Sequence, residues 1–491
     1  MTDPRISLGP DVVGTGGDQV IDALDQVRPI VRVEANLAPP AAAAAAALAA
    51  MLIRVFPHTT IDGDAALERN PWNATTVTDA LVRSSTGLGA TRGHVRDVVI
   101  AVGEPSGPAD LYIGGDDWTA AMSRTTPLAI APGSSALGVQ AAACLAAAEL
   151  SKQVLAPLGM TVVHLPAEFA WNLINHRLEP APAINEHRRR QPTRAAFFGC
   201  GSVGSSTAAV LACIDGLTGE AWPVDMDTID SDRNPYRYPA LTGEALGHKA
   251  IWVGEMLHRA GWTAHPHLGD VSSWVRAQPS PGLHGIAVSS VDTVDGRRDV
   301  ADVLAHTTLS AGVSGLALHV QVEHPADAFA CPYCDFVDAR STLELSGVHA
   351  ALVGLEEQRV IELAAPDATL NSDDLDRAVA VGRVHPDRVG DLIGRRLDDL
   401  IRVAYAEATV PLPDGSRPAS ISAPYVSWMT GVLASAEIDK NSLRLPLLHR
   451  RVDFDLSGVP LGVTSTKPRD SSGRCTCHSA VRSKWSKRLY P

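Results

Sequence analysis

Basic residues are in deficit in this chain: 42 Lys and Arg stand against 55 Asp and Glu, for a formal net charge of -13. Binding to phosphate backbones is built on clustered Lys and Arg, so the balance argues against a broad nucleic-acid surface. A long hydrophobic run is also lacking. The longest, Ala41 to Ile53, falls short of the roughly 20 apolar residues needed to cross a bilayer. It reads as a soluble helix entered through Pro39 and Pro40, since proline suits a first helical turn. Met1 to Pro10 shows no basic start followed by an apolar core, so no secretory signal is read, and a cytosolic location without a membrane partner is expected. Cysteine is sparse too, at 7 in 491 residues. That excludes a disulfide scaffold, and in a reducing compartment paired cysteines more often hold metal.

What is present is enough apolar material for two or three domains, with 45% hydrophobic residues. Two stretches look like copies of one unit. Asp97–Gly103, a strand-like run, is followed by the alanine-rich Gly138–Pro157; Gly285–Asp292 is followed by Gly347–Pro366. Any two α/β domains offer an apolar strand and an Ala-rich helix, so duplication and coincidence both stay open. Between the halves, Glu179–Thr193 is proline-bearing and basic without periodicity, as expected of a linker. The expected organisation is a degenerate α/β domain over 1–180, a nucleotide-binding domain over 181–366 and an accessory C-terminal segment over 367–491.

From Ala195 the sequence runs through a short apolar strand, the turn Gly199-Cys200-Gly201-Ser202-Val203-Gly204 and an amphipathic helix with small residues inward. Glycine is needed there because the turn is tight and a side chain would keep phosphates from the helix N-terminus. Asp225 ends the next strand, where an acidic residue commonly bonds ribose hydroxyls. So far NAD and ATP fit equally well. Asn234, Arg237 and Lys249 then supply polar and cationic groups that hydride transfer does not need and a triphosphate does.

In this order the residues resemble the ThiF/MoeB/HesA adenylyltransferases of the ubiquitin-activating superfamily, whose pattern is a glycine turn, an Asp-x-Asp strand end, Asn-x-x-Arg and a later lysine. Gly199–Gly204, Asp225-Met226-Asp227, Asn234-Pro235-Tyr236-Arg237 and Lys249 match it over Arg194 to about Pro366. The resemblance implies a Rossmann-like domain that uses ATP and Mg2+ to adenylate a carboxylate, with Gly199, Gly201, Ser202, Val203, Gly204, Asp225 and Asp227 holding the nucleotide. Asn234, Arg237 and Lys249 would serve the triphosphate, and Asp292 would sit at the magnesium position. Two departures stand out: Thr293 replaces the family's asparagine after Asp292, and the Asp225–Asn234 interval is one residue longer. Related enzymes borrow an arginine from a neighbouring domain or subunit, for which Arg188, Arg189 and Arg190 are candidates, a solvated charge run being the bland alternative. A homodimer is an open expectation.

Cys331-Pro332-Tyr333-Cys334 and Cys475-Thr476-Cys477-His478 offer four thiolates, enough to close a tetrahedral Zn2+ site over an irregular tail. The resemblance implies such a zinc through two CxxC pairs; here the second pair is one residue short, so His478 could stand in for Cys477. Cys144 and Cys213 lie on apolar helices and Cys200 inside the glycine turn, which leaves no evident thioester acceptor. The first half carries GTGG at Gly14–Gly17 but no strand before it and no Asn-x-x-Arg, so it is expected to bind no ATP. The expected substrate is the C-terminus of a small ubiquitin-like or sulfur-carrier protein or of a peptide. An NAD-dependent oxidoreductase and a non-catalytic nucleotide-binding scaffold are the alternatives.

Overall fold

The computed structural model describes residues 15–490 apart from short internal stretches, the longest of them 89–95, 183–188, 338–345 and 411–418. Its strands fall into two large sheets. The first holds β1 (Val27–Val33), β2 (Thr60–Asp62), β3 (Arg96–Val102), β4 (Leu111–Gly115), β5 (Thr119–Ser123) and β6 (Glu168–Asn172) in the order β2-β1-β3-β4-β5-β6. The second holds β7 (Thr193–Phe198), β8 (Gly219–Val224), β9 (Thr263–Ala264), β10 (Leu283–Ser289), β11 (Ala305–Ser314) and β12 (Ala317–Glu323). A small hairpin, β13 (Thr409–Val410) with β14 (Ala419–Ser420), stands apart, and β15 (Arg451–Asp455) and β16 (Thr464–Ser465) return to the second sheet. There the order is β16-β15-β12-β11-β10-β7-β8-β9, parallel from β9 to β11 and antiparallel beyond. Phe197 and Phe198 of β7 are fully buried, as a parallel strand covered on both faces requires. The fold is mixed α/β with two parallel-rich sheets, in agreement with the sequence.

Helices cover the sheets and fill the core that joins them. In chain order they are α1 (Thr15–Asp25), α2 (Pro39–Ile53), α3 (Val77–Ser85), α4 (Leu137–Leu155), α5 (Ser202–Ala212), α6 (Asn234–Arg237), α7 (Lys249–Arg259), α8 (Val271–Ala277) and α9 (Val294–Asp302). Then come α10 (Glu357–Leu363), α11 (Ser372–Ala380), α12 (Val389–Leu392), α13 (Leu397–Ala404), α14 (Pro424–Ser442) and α15 (Ala480–Leu489). Every residue from Ala41 to Ile53 of α2 is buried, and a helix apolar all round belongs inside. α4 packs on β4, β5 and α2, α14 packs on β11, β12 and α5, and α4 and α14 pack on each other. One continuous hydrophobic core therefore joins both halves.

A repeat is visible in the topology. β2-β1-β3-β4-β5-β6 repeats as β8-β7-β10-β11-β12-β15. Asp97–Gly103 and Gly285–Asp292, paired from sequence, do occupy equivalent places as β3 and β10. The helix pairing needs correction. α4 joins β5 to β6, and its counterpart joining β12 to β15 is α14, not Gly347–Pro366. Ala-rich composition alone set that register, whereas Ala146–Lys152, AAAELSK, matches Ala434–Lys440, ASAEIDK. The two lysines behave alike. Lys152 Nζ donates to Glu149 and across to Gly458 O of the second half (2.8 and 3.0 Å); Lys440 bonds Glu437 and donates across to Leu173 O of the first (3.3 Å).

Between β12 and α14 lies an insertion. Val353, Val360, Leu363, Leu375 and Leu400 give it a small core of its own, and Gly347 falls outside the described residues. The segment expected over 367–491 is thus distributed: α11 to α13 belong to the insertion, while α14, β15 and β16 complete the second sheet and its cover.

Candidate functional site

The glycine turn is built as its sequence demands. β7 ends at Phe198, and Gly199 turns the chain at a φ of +89°, in the left-handed region. A Cβ on Gly204 would stand 2.0 Å from Gly199 O, so α5 can begin this close to the strand only with glycine there. Gly201 is its N-cap and brings no side chain over it. The N–H groups of Ser202, Val203 and Gly204, in the first turn, have no intrahelical acceptor. Such a helix start is suited to an anion.

Asp225 locks this turn to the next strand. Cys200 N–H donates to its Oδ2 at 2.6 Å and Asp227 N–H to its Oδ1 at 2.8 Å. The carboxylate expected at the ribose therefore also fixes the backbone on either side of it. Asp227 is exposed, and Lys249 Nζ lies 2.8 Å from its Oδ2. Lys249 opens α7, and its own N–H donates to Asp227 O at 3.0 Å. Burial pulls the Lys249 ammonium down, but the Asp227 hydrogen bond and the nearby Tyr238 and Asp225 outweigh it and raise its pKa above the usual lysine range. It carries its charge at neutral pH.

The Asn-x-x-Arg segment folds as the single-turn helix α6. Asn234 is buried; its Oδ1 accepts from Asp230 N–H at 2.8 Å and its N–H donates to Asp230 O at 3.0 Å. Asp230 and Asn234, near the end of the longer interval, are thus doubly bonded to each other. Arg237 is exposed at the helix end. Asp292 is exposed just past the end of β10, and Ser290, two residues earlier, donates from Oγ to Gly199 O at 2.7 Å. Thr293 acts locally, its Oγ1 accepting from Gly296 N–H at 3.1 Å and capping α9. Strand ends β7, β8 and β10 thus bring the glycine turn, Asp225, Asp227, Lys249 and the Ser290–Asp292 stretch to one mouth, at the carboxyl edge where open α/β sheets bind ligands.

Three residues escape the sequence reading. Arg54, buried at the end of α2 in the first half, donates to Ala50 O (2.6 Å), Pro235 O (2.7 Å) and Leu241 O (2.7 Å), so it brackets α6 from behind. Desolvation brings its pKa down to about 9. Trp72 Nε1 donates to Pro239 O at 2.9 Å. Tyr238, immediately after Arg237, is 5% exposed and stacks on Trp252 of α7 at 6.0 Å. The only sequence signal available was the density of aromatics near Arg237.

Of the three arginines before β7, Arg190 is engaged elsewhere. Its guanidinium pairs with both oxygens of Asp439 at 2.6 and 2.8 Å and donates to Ser134 Oγ at 2.7 Å. Arg189 is exposed, and Arg188 lies outside the described residues. Cys144, Cys200 and Cys213 are fully buried. Desolvation pushes their thiols up, Cys213 to about 12, which is the wrong direction for a nucleophile.

The other four cysteines converge. Sγ separations are 3.4 Å for Cys331–Cys475, 3.5 Å for Cys334–Cys475, 3.6 Å for Cys334–Cys477 and 3.7 Å for Cys331–Cys334. A tetrahedron with Zn–S bonds of about 2.3 Å has edges of about 3.8 Å, so the donor set fits zinc. His478 turns away: its Nε2 lies 2.7 Å from Asp470 O. Among the described residues, this cluster is the one group of three or more His, Cys, Asp and Glu whose ligand atoms all lie within 4.8 Å of one another. No described helix is long and apolar enough to cross a membrane.

GTGG proves not to be the first half's counterpart of the glycine turn. Thr15 begins α1, Gly14 is outside the described residues, and the strand-turn-helix there is β1, Glu34–Ala38 and α2.

No protein-family model matches the chain. The uncharacterized protein y4jF of Sinorhizobium fredii is 26% identical over 410 residues, covering 77% of this chain and 75% of its own. Among solved structures, E. coli MccB with MccA-N7isoASN superposes with a TM-score of 0.34 at 14% identity, over 59% of this chain and 67% of that one. E. coli MccB with ATP gives a TM-score of 0.34 at 12% identity, over 59% and 68%. Selenomethionine PaaA gives 0.32 at 12% identity, over 58% and 74%. Likenesses this distant assign neither activity nor substrate.

Proposed function

We propose that this protein adenylates a carboxylate with ATP, the carboxylate being the C-terminus of a small ubiquitin-like or sulfur-carrier protein or of a peptide. The observation that carries the reading is Lys249, held charged beside Asp227 at the mouth of a glycine turn whose helix start is uncapped. NAD chemistry has no use for a fixed cation there. Lys249 is half-buried, while its partner Asp227 is an exposed carboxylate solvated on its outer side. On this reading a phosphate oxygen takes the place of Asp227 beside the ammonium when the nucleotide binds.

The reaction asks for no general base. The carboxylate is ionised at neutral pH; its oxygen attacks the α-phosphorus, the bond to the bridging oxygen breaks, and pyrophosphate leaves. Charge on the phosphates is met by Lys249, by Arg237 and by the first N–H groups of α5. Asp225 and Asp227 line the ribose side. Asp292 is the residue to hold Mg2+, a hard cation that takes carboxylate and phosphate oxygens. With the remaining thiols buried, the acyl-adenylate passes to an external sulfur or amine nucleophile.

Calorimetric titration separates the readings. ATP with Mg2+ should bind and NAD should not; tight NAD binding without ATP binding would end the adenylation claim. Pyrophosphate exchange into ATP that depends on an added carrier or peptide is the confirming assay.

A further inference from the structure

Tyr238 belongs to none of the motifs that pointed to the nucleotide, yet its hydroxyl stands over the glycine turn. A Cβ placed on Gly201 would lie 3.7 Å from that oxygen. The ring is almost wholly withdrawn from solvent, with 5% exposed, and stacks on Trp252 at 6.0 Å and an interplanar angle of 9°. Trp252 lies on α7, the helix that begins with Lys249. The same stack therefore sets the positions of the tyrosine hydroxyl and the lysine. From the other side, Trp72 holds Pro239 O, and Arg54 holds Pro235 O and Leu241 O, so the backbone around Tyr238 is braced by the first half.

Such bracing needs a reason. A buried tyrosine usually spends its hydroxyl on a protein acceptor. Among the described residues no acceptor is found for the Tyr238 hydroxyl, which is not one of the fully buried orphaned atoms and so opens to solvent at the mouth, while the charged groups around it are Lys249, Asp225, Arg237 and Asp227. These are the groups assigned to the nucleotide. Burial also raises its pKa, which keeps the proton available for donation.

We propose that Tyr238 is a nucleotide-contacting residue whose hydroxyl donates a hydrogen bond to a phosphate oxygen of ATP as it sits on the glycine turn beside Lys249. The assignment rests on the adenylation reading. It adds an uncharged donor to Arg237 and Lys249, set on a rigid stacked ring rather than a flexible stem. A phosphate oxygen is the acceptor because the hydroxyl faces Gly201 at the uncapped start of α5. A donor at that place discriminates for phosphates and not for adenosine.

The test is calorimetric titration of the full chain with ATP and Mg2+, and separately with adenosine, for the wild type and Tyr238→Phe. Phenylalanine keeps the ring and its stack on Trp252, and near-ultraviolet circular dichroism checks that the packing persists. A hydrogen bond to a charged acceptor predicts a rise of roughly 10- to 100-fold in the Kd for ATP, with that for adenosine unchanged. Equal ATP affinity in wild type and Tyr238→Phe would overturn the assignment while leaving the adenylation reading in place. An equal loss for ATP and adenosine would also overturn it, since the residue would then be shaping the pocket and not contacting phosphate. Absence of ATP binding by the wild type would remove both.

Discussion

At the scale of single residues, the legible part of the site is the part written in local grammar. The placing of Gly199, Gly204, Asp225 and Lys249 at one strand-end mouth could be read because strand, turn and helix follow one another closely and each glycine answers a steric demand. Gly204→Ala should therefore abolish ATP binding, since its Cβ would stand 2.0 Å from Gly199 O and α5 would have to shift off the turn; titration with ATP is the check. Lys249→Ala and Arg237→Ala should each lower pyrophosphate exchange by roughly 100-fold or more, the effect of removing one preorganised charge donor, with circular dichroism unchanged. Exchange at wild-type rates in both would refute the roles given to them. Arg54 was not legible. Its three acceptors include two that lie far away in sequence, Pro235 O and Leu241 O, and a lone Arg near the end of an alanine helix reads as a surface charge. Arg54→Met should cost on the order of 3 kcal/mol, because buried carbonyls lose a charged donor, and urea denaturation would measure it.

At the scale of elements, composition misleads where packing decides. Gly347–Pro366 and α4 share alanine content, but α14 takes the equivalent place because its small residues let two helices nearly touch. A Cβ on Gly431 would meet Ser206 C at 2.7 Å, and Ser435 Oγ donates to Thr207 O at 3.1 Å. The motif that could have revealed the pairing is the shared Glu-x-x-Lys of Glu149–Lys152 and Glu437–Lys440. Gly431→Val should destabilise by about 2 kcal/mol or more, as overpacking between fixed backbones does. The cysteine pairs, by contrast, were legible, since ligand spacing is itself local. What sequence left open was the fourth ligand, and the bond of His478 to Asp470 O favours Cys477. Metal analysis should find about one zinc per chain. Cys477→Ser should lower that content and the Tm, and His478→Ala should change neither; the reverse result would assign the histidine.

At the scale of the whole molecule, the chain is a covalent pair of halves that share one strand order. The order β2-β1-β3-β4-β5-β6 recurs, α4 and α14 meet at the centre, and each contributes a lysine that reaches into the opposite half. The two turns nevertheless differ chemically. α5 opens with three residues that all carry N–H groups, whereas α2 opens with Pro39 and Pro40, which have none to offer an anion. No glycine lies in Glu34–Ala38. The Cβ direction of Gly103, at the end of β3, meets Leu37 Cδ2 at 3.2 Å and Glu34 Oε2 at 3.5 Å, so the turn after β1 packs its side chains against the end of β3, where the second half has the glycine turn and Ser290. The first half also braces α6 through Arg54 and the residues just after it through Trp72. One chain should therefore bind one ATP, and calorimetry should return a stoichiometry near one that falls to zero in Gly204→Ala. A stoichiometry of two in the wild type, with one site surviving that substitution, would show that the first half still binds nucleotide despite its prolines.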